Sequence, residues 1–189
     1  YYEEQGRFAV HETIGMRPEE AFYGFGEKFS PLDKRGQRVI SWTTDALGVS
    51  NHRSYKNIPL FMSSSGYGIF VNSSFRIVYE MGTQSLVSYT FRVEDRLMDY
   101  FFILGSYKGV LRRYHDLTGR PSLPPKWSFG FWMSRFGYRD RKEVEEVCER
   151  FRSEGIPADV IHIDPYWLGG PEKWCDLEWD TEAFPDPAG

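Results

Sequence analysis

The chain has 189 residues, of which 41% are hydrophobic and 26% charged, with a formal net charge of −4. That size allows one domain, or one small domain and part of another, and the balance is globular rather than disordered. The mild negative charge and the absence of a long basic block argue against nucleic acid or a membrane surface as partner. No run approaches the about 18 apolar residues of a membrane span.

Two cysteines, Cys148 and Cys175, are too few for a disulfide framework and lean toward a reducing, cytoplasmic setting. No signal peptide is visible, but the chain begins at Tyr1 rather than Met and reads as a piece whose true start is missing. Aromatic residues make up 17% of the chain. Such rings mostly fill cores, and amphipathic ones also suit sugar faces.

From Tyr1 to about Leu104 the chain reads as short strands. "GYGIFVNSS", "FRIVYEMG", "SLVSYTFRVE" and "DYFFILG" are β-branched and aromatic and are bounded by Gly, Ser, Asn or Asp. Their spacing predicts an antiparallel sandwich or sheet over 1–104. Within it, Glu27 to Asn57 is polar and weakly periodic, and a loop of that length is usually functional or disordered. Gly24 and Gly26 in "YGFGEKF" lack phosphate-loop spacing and predict a backbone bend.

Residues 105–125 read as a helix and a stiff linker. Ser106 caps the helix, Val110, Leu111 and Tyr114 share a face, and Gly119 ends it before the proline-rich "GRPSLPP". After Pro125 the period changes. "KWSFGFWMS" predicts a buried strand ending near Ser134. A helix follows, opened by Asp140 with Glu143 in a capping-box pattern and closed by Gly155 ahead of Pro157. Val144, Val147, Cys148 and Phe151 form its apolar stripe, so Cys148 is expected in the core. A second strand runs from Asp159 to Asp164. Strand, helix and strand make a βαβ unit with parallel strands over 126–189, the start of a barrel that needs about 250 residues in full. The chain therefore reads as truncated at both ends.

Candidate chemistry gathers at the end of that second strand. Parallel α/β folds bind ligands at the carboxyl ends of their strands, where Asp164 falls. Val160, His162 and Asp164 share one face by alternation, and Ile161 and Ile163 the other. If the isoleucines meet covering helices, His162 and Asp164 point inward. Two readings of Asp164 stand: a turn-opening acid before Pro165, or a carboxylate that accepts hydrogen bonds from vicinal hydroxyls. The strand-end position favours the second. His162 with Asp164 also suggests a metal pair, but no further ligand cluster accompanies them, so no metal is expected and His162 is read as supporting the site. Cys175 in "KWCDLEWD" is either a packed or a reactive thiol. Asp45, in the long polar loop beside Trp42, is either an exposed acid or part of a site carried by that loop.

Taken together, "FYGFGEKF", "SWTTD", "YKNIPLFMSSSGYGIFVN", "LTGRPSLPPKWSFGFWMS", "HIDPYW" and "WCDLEWDTEAFPDPAG" resemble glycoside hydrolase family 31. The likeness is to its α-xylosidase/α-glucosidase branch of bacterial type, in order and over nearly the whole chain. The resemblance implies the C-terminal portion of an N-terminal all-β sandwich followed by the first βαβ unit of a (β/α)₈ barrel. It implies a retaining exo-α-glycosidase without cofactor, whose nucleophile and acid/base aspartates lie downstream of Gly189, so that this chain alone is inactive. Asp164 would bind hydroxyls of the terminal sugar, and Asp45 would reach over the barrel mouth. Phe136 or Arg135 would line the pocket, and Trp132 would also be a substrate-binding residue. Pro165 and Tyr166 would approach the sugar's C5 substituent. They match neither the Cys-Phe of α-xylosidases nor the Ile/Leu-Tyr-Met of many α-glucosidases, which leaves glucose and xylose both open. The expected partner is an oligosaccharide or α-glycoside, with self-association of the longer protein also open. The alternatives are a non-catalytic carbohydrate-binding protein on the same fold and, more weakly, a metal-dependent hydrolase.

Overall fold

The computed structural model describes residues 2–4, 7–46, 48 and 51–188, and divides the chain into two compact units, Tyr1–Arg120 and Pro121–Gly189. The first contains β1 (Tyr2–Glu4), β2 (Arg7–Gly15), β3 (Phe22–Gly26), β4 (Arg38–Ser41), β5 (Asn57–Ser63), β6 (Tyr67–Val71), β7 (Ile77–Glu80), β8 (Ser88–Val93), β9 (Tyr100–Leu104) and helix α1 (Tyr107–Thr118). The second contains β10 (Trp132–Arg135), α2 (Arg141–Ser153) and β11 (Val160–Ile163).

Alternation builds the first unit. In β8 the pattern of Ser88 to Val93 puts Tyr89, Phe91 and Val93 inside and leaves Ser88, Thr90 and Arg92 half-buried. β8 lies in a sheet of order β1-β2-β8-β7-β4, and β3-β5-β6-β9 form another. Every strand pairing within these sheets is antiparallel. Phe22, Phe25, Phe61, Ile69 and Val71 of one sheet share a core with Val39, Ile77, Tyr79, Tyr89, Phe91 and Val93 of the other. Two sheets closed over one core form a sandwich. Rings fill its middle edge to face: Phe61 stands 5.5 Å from Tyr89 and 6.0 Å from Tyr79.

The "YGFGE" bend is a bulge in β3, where the register against β5 shifts between Gly24 and Gly26. Gly24, Phe25 and Gly26 have φ of 126°, 68° and 80°. A Cβ on Gly24 would lie 2.6 Å from the Leu60 carbonyl oxygen. Phe25 adopts a conformation unfavourable for a side chain, and its fully buried ring, stacked on Phe61 at 5.2 Å, offsets that strain.

The loop expected over Glu27 to Asn57 contains a strand. β4 pairs with β7, Arg38 opposite Glu80 and Ser41 opposite Ile77, and an Arg38–Glu80 ion pair at 3.0 Å holds its polar end. Val39 and Ser41 face inward. Helix α1 is capped as expected, Ser106 Oγ accepting from the Gly109 amide at 3.4 Å. Its buried residue is Val110, beside Leu60, Phe70 and Ile103, while Tyr114 meets Phe70 edge-on. Leu111 is exposed, a correction to the expected three-residue face.

In the second unit, β10 and β11 run parallel, with Trp132 opposite Val160 and Arg135 opposite Ile163. Asp140 caps α2 through Oδ1 and the Glu143 amide at 2.8 Å. At its other end, the Gly155 and Ile156 amides donate to the Arg152 and Phe151 carbonyls, a Schellman closure with Gly155 at φ 67°. Three expectations are corrected. Lys126–Phe129 is a 3₁₀ turn rather than strand. β10 is not buried; Trp132 is 46% exposed. Cys148 is exposed as well. One helix covers only part of a two-stranded parallel sheet, so apolar residues that would pack between layers stand open.

Candidate functional site

β11 delivers Asp164 to the carboxyl end of the parallel pair. The residue leaves the strand with φ −84° and ψ 178° and sits at the N-cap of the 3₁₀ turn Pro165–Leu168. Its side chain makes no capping hydrogen bond, and among the described residues its carboxylate has no hydrogen-bond partner. The turn-capping reading therefore finds no side-chain bond to support it. A half-buried carboxylate left in this state offers two acceptor oxygens to a ligand.

Three rings of the second unit, Phe136, Tyr166 and Trp174, pack on one another. Phe136, directly after β10 and 65% exposed, meets Tyr166 edge to face at 5.5 Å and Trp174 at 6.5 Å. Gly137 lies under the Tyr166 ring so closely that a Cβ there would come within 2.7 Å of Cδ2. Pro165, half-buried, fixes the first residue of the turn that carries Tyr166.

Strand alternation separates Phe136 from Arg135. The Arg135 guanidinium turns to α2, 3.3 Å from Glu143 Oε1, and lies over the buried Tyr138 ring at 5.0 Å. The Arg139 amide, together with the charges of Arg139 and Arg135, holds the Glu143 carboxyl below its ordinary range. Arg135 is thus occupied within the helix layer, and Phe136 is the one that meets Tyr166. Ser134 and His162, opposite each other in the register, join through Oγ and Nδ1 at 3.1 Å, so His162 is tied to the strand pair. Trp132 lies at the amino end of β10, its indole N–H donated to the Ser128 carbonyl at 3.0 Å and its ring beside Trp127. The structure does not bring it to the carboxyl-end group. Among the described residues no three His, Cys, Asp or Glu side chains gather as a metal site.

In the first unit, the segment after β4 is pinned by a bridge between Thr43 and Ser54, with the Thr44 amide donating to the Ser54 carbonyl at 3.2 Å. Asp45 follows, exposed, and the Tyr55 hydroxyl donates to its Oδ1. Beside this bridge an open groove of about 390 Å³ is lined by Ser41, Trp42, Thr43, Asn57, Ser73 and Phe75. Asn57 Oδ1 accepts from Lys28 Nζ, which also donates to the Ile40 carbonyl at 2.8 Å. Burial, and then the Lys34 charge, lower the Lys28 pKa to about 8.

Gly137, Trp174 and Tyr55 are side chains or positions that sequence reasoning passed over. Trp174 lies within "KWCDLEWD", where attention went to the cysteine. Gly137 follows the Phe of "SRFGY" and carries no signal until the ring above it is known. Tyr55 is one residue beyond Ser54, and the pairing of Thr43 with Ser54 brings it back to Asp45.

Comparison with known proteins follows the same division of the chain. Residues 2–80 match the glycosyl hydrolase 31 N-terminal galactose mutarotase-like domain, and residues 121–189 the glycosyl hydrolases family 31 TIM-barrel domain. The chain is 42% identical over 183 residues to the α-xylosidase XylQ of Lactiplantibacillus pentosus, covering 95% of this chain and 24% of that protein. It is 38% identical over 178 residues to α-glucosidase 2 of Bacillus thermoamyloliquefaciens, covering 90% and 22%. Among solved structures, the Flavobacterium johnsoniae GH31 dextranase FjDex31A, complexed with glucose, superposes with a TM-score of 0.84 at 34% identity, over 98% of this chain and 23% of that one. The chain thus spans between a fifth and a quarter of these relatives.

Proposed function

Since the chain belongs to glycoside hydrolase family 31, we propose that it is part of a retaining, exo-acting α-glycosidase that removes terminal α-linked glucose or xylose. In this reading the first unit is the C-terminal portion of the N-terminal sandwich, and the second opens the barrel that carries the active site. Asp164 holds the sugar through its hydroxyls, and Asp45 is a second substrate-binding acid, carried by the first unit. In the same reading, the nucleophile and the acid/base of the two-carboxylate scheme lie in parts of the longer protein that follow this chain.

The observation that carries the reading is the Asp164 carboxylate. It stands at the carboxyl end of a parallel strand, where barrels place their sites, and no side-chain cap or described partner takes its oxygens. A pyranose presents vicinal hydroxyls to such an acceptor and C–H faces to rings such as Phe136 and Tyr166. Asp164, Phe136, Pro165 and Tyr166 form the pocket wall, while His162 holds the strand pair through Ser134. In the first unit, Tyr55 orients Asp45 by its hydrogen bond.

In the longer protein, Asp164→Ala is expected to lower kcat/KM for an aryl α-glycoside by at least about a hundredfold, or roughly 3 kcal/mol of transition-state binding. Steady-state kinetics on aryl α-glucoside and α-xyloside check this, and a near-normal value would remove Asp164 from the site. The 189-residue chain alone is expected to turn over neither substrate.

A further inference from the structure

We propose that Gly137 is a specificity-determining residue: by lying beneath the Tyr166 ring it sets how far that ring reaches toward a sugar held by Asp164. This rests on the reading of Asp164 as the sugar-holding carboxylate. Gly137 has no left-handed backbone angle, so conformation does not call for glycine here. Space does. A Cβ on residue 137 would lie 2.7 Å from Tyr166 Cδ2 and 3.1 Å from both Cε2 and Cγ. Those are ring atoms, and Cγ is anchored one bond from the Tyr166 Cβ, so the ring cannot relieve the clash by a small swing of its tip.

The ring has few other places to go. Phe136 stands edge-on to it at 5.5 Å and is itself flanked by Trp174 at 6.5 Å. Pro165 fixes the backbone just before Tyr166. A methyl group at 137 therefore pushes the Tyr166 ring away from residue 137. Tyr166 is only two residues past Asp164, so that displacement changes the space beside any sugar gripped by the carboxylate. The sugars in question differ by one hydroxymethyl group on C5, and a pocket wall discriminates a difference of about one carbon by roughly ten- to two-hundredfold.

The test compares kcat/KM for an aryl α-xyloside and an aryl α-glucoside in the longer protein, for the wild type and for Gly137→Ala, Tyr166→Ala, Gly137→Ala/Tyr166→Ala and Asp164→Ala. Gly137→Ala is expected to change the xyloside-to-glucoside ratio at least tenfold. The double variant is expected to match Tyr166→Ala, because the atoms nearest the added methyl all belong to the Tyr166 ring. An unchanged ratio in Gly137→Ala, or a methyl effect that persists without the ring, would overturn the proposal. If Gly137→Ala does not fold, the double variant decides: recovery of folded protein supports the contact, and failure to recover refutes it. Asp164→Ala separates the two layers of the argument. Full activity in that variant defeats the site itself, whereas its loss together with an unchanged Gly137→Ala ratio defeats only the role of Gly137.

Discussion

The two units bury their apolar residues in opposite ways. In the first, both sheets turn alternate residues inward and close them over one core in which Phe22, Phe25, Phe61, Ile69, Tyr79, Tyr89 and Phe91 are fully inaccessible. In the second, neither β10 nor β11 contains a buried residue, and α2 has none. Tyr138, Leu168 and Phe184, all outside those elements, are its buried hydrophobics. An antiparallel sandwich lays one sheet over the other and so covers the inner face of each, while a parallel strand needs cover on both faces, which a single helix cannot give. The two candidate acids follow the same division. The tightly packed unit keeps its candidate acid, Asp45, on an exposed segment, whereas the open unit offers Asp164 at a strand end.

The largest expected effect tests that contrast directly. Phe61→Ala removes a fully buried ring that touches Phe22, Phe25, Tyr79 and Tyr89, and should cost about 3–5 kcal/mol. Phe151→Ala, which removes a half-buried ring beside Phe131, should cost less than about 2 kcal/mol. Amide exchange resolves the two units separately: β5, β6 and β8 should be the most protected strands, and β10 and β11 among the least. Equal costs for the two substitutions, or strong protection of β10, would break the comparison.

A smaller effect separates polar burial from apolar burial in the first unit. Glu20 is buried, yet its carboxylate accepts from the hydroxyls of Ser63 and Tyr67, the latter at 2.7 Å, and from the Arg17 amide at 2.9 Å. Burial alone would raise its pKa, but these donors, with Ser65, hold it below the usual carboxylate range. Burial also pushes the Tyr67 hydroxyl up to about 12, so it stays a donor through neutral pH. Because the folded pKa of Glu20 is depressed, its stabilisation is complete above the unfolded value of about 4.3 and is lost as pH falls through the folded value. Glu20→Gln should cost about 1–3 kcal/mol at pH 7. The difference between wild type and variant should shrink between pH 5 and pH 3, by urea melts, at roughly the acid range of the carboxylate. A constant difference across that range would assign the effect to shape rather than charge.

How much of this was legible in the sequence depended on the distance between cause and effect along the chain. The α2 caps were readable because Asp140, Glu143 and Gly155 act within a few residues of where they stand. Asp164 was placed at a strand end because the strand–helix–strand order forces it there. β4 was hidden in a polar loop because its partner, β7, is remote in sequence and only pairing makes sense of Arg38 opposite Glu80. Cys148 fell on a correctly predicted stripe, but periodicity tells which residues share a face and not whether anything covers it. The choice between Arg135 and Phe136 needed the register of β10 against β11 and the position of Glu143. Gly137 under Tyr166 needed the same register together with the turn at Pro165, and no local pattern encodes either.

The smallest expected effect comes from the centre of the first unit. Tyr79 is fully buried, and among the described residues its hydroxyl has no hydrogen-bond partner. Burial raises its pKa well above the ordinary phenol value, so the group is neutral at pH 7. The ring itself is well used, meeting Phe25 at 4.9 Å and Phe61 at 6.0 Å. Tyr79→Phe keeps those contacts and removes one buried polar atom, so it should leave stability unchanged or raise it by up to about 1 kcal/mol. Beside the loss expected for Phe61→Ala, this pair would show that the sandwich core depends on ring packing rather than on polar satisfaction. A loss of more than about 1 kcal/mol on Tyr79→Phe in the same urea melts would reveal a bond to that hydroxyl and return part of the core's stability to polar contacts.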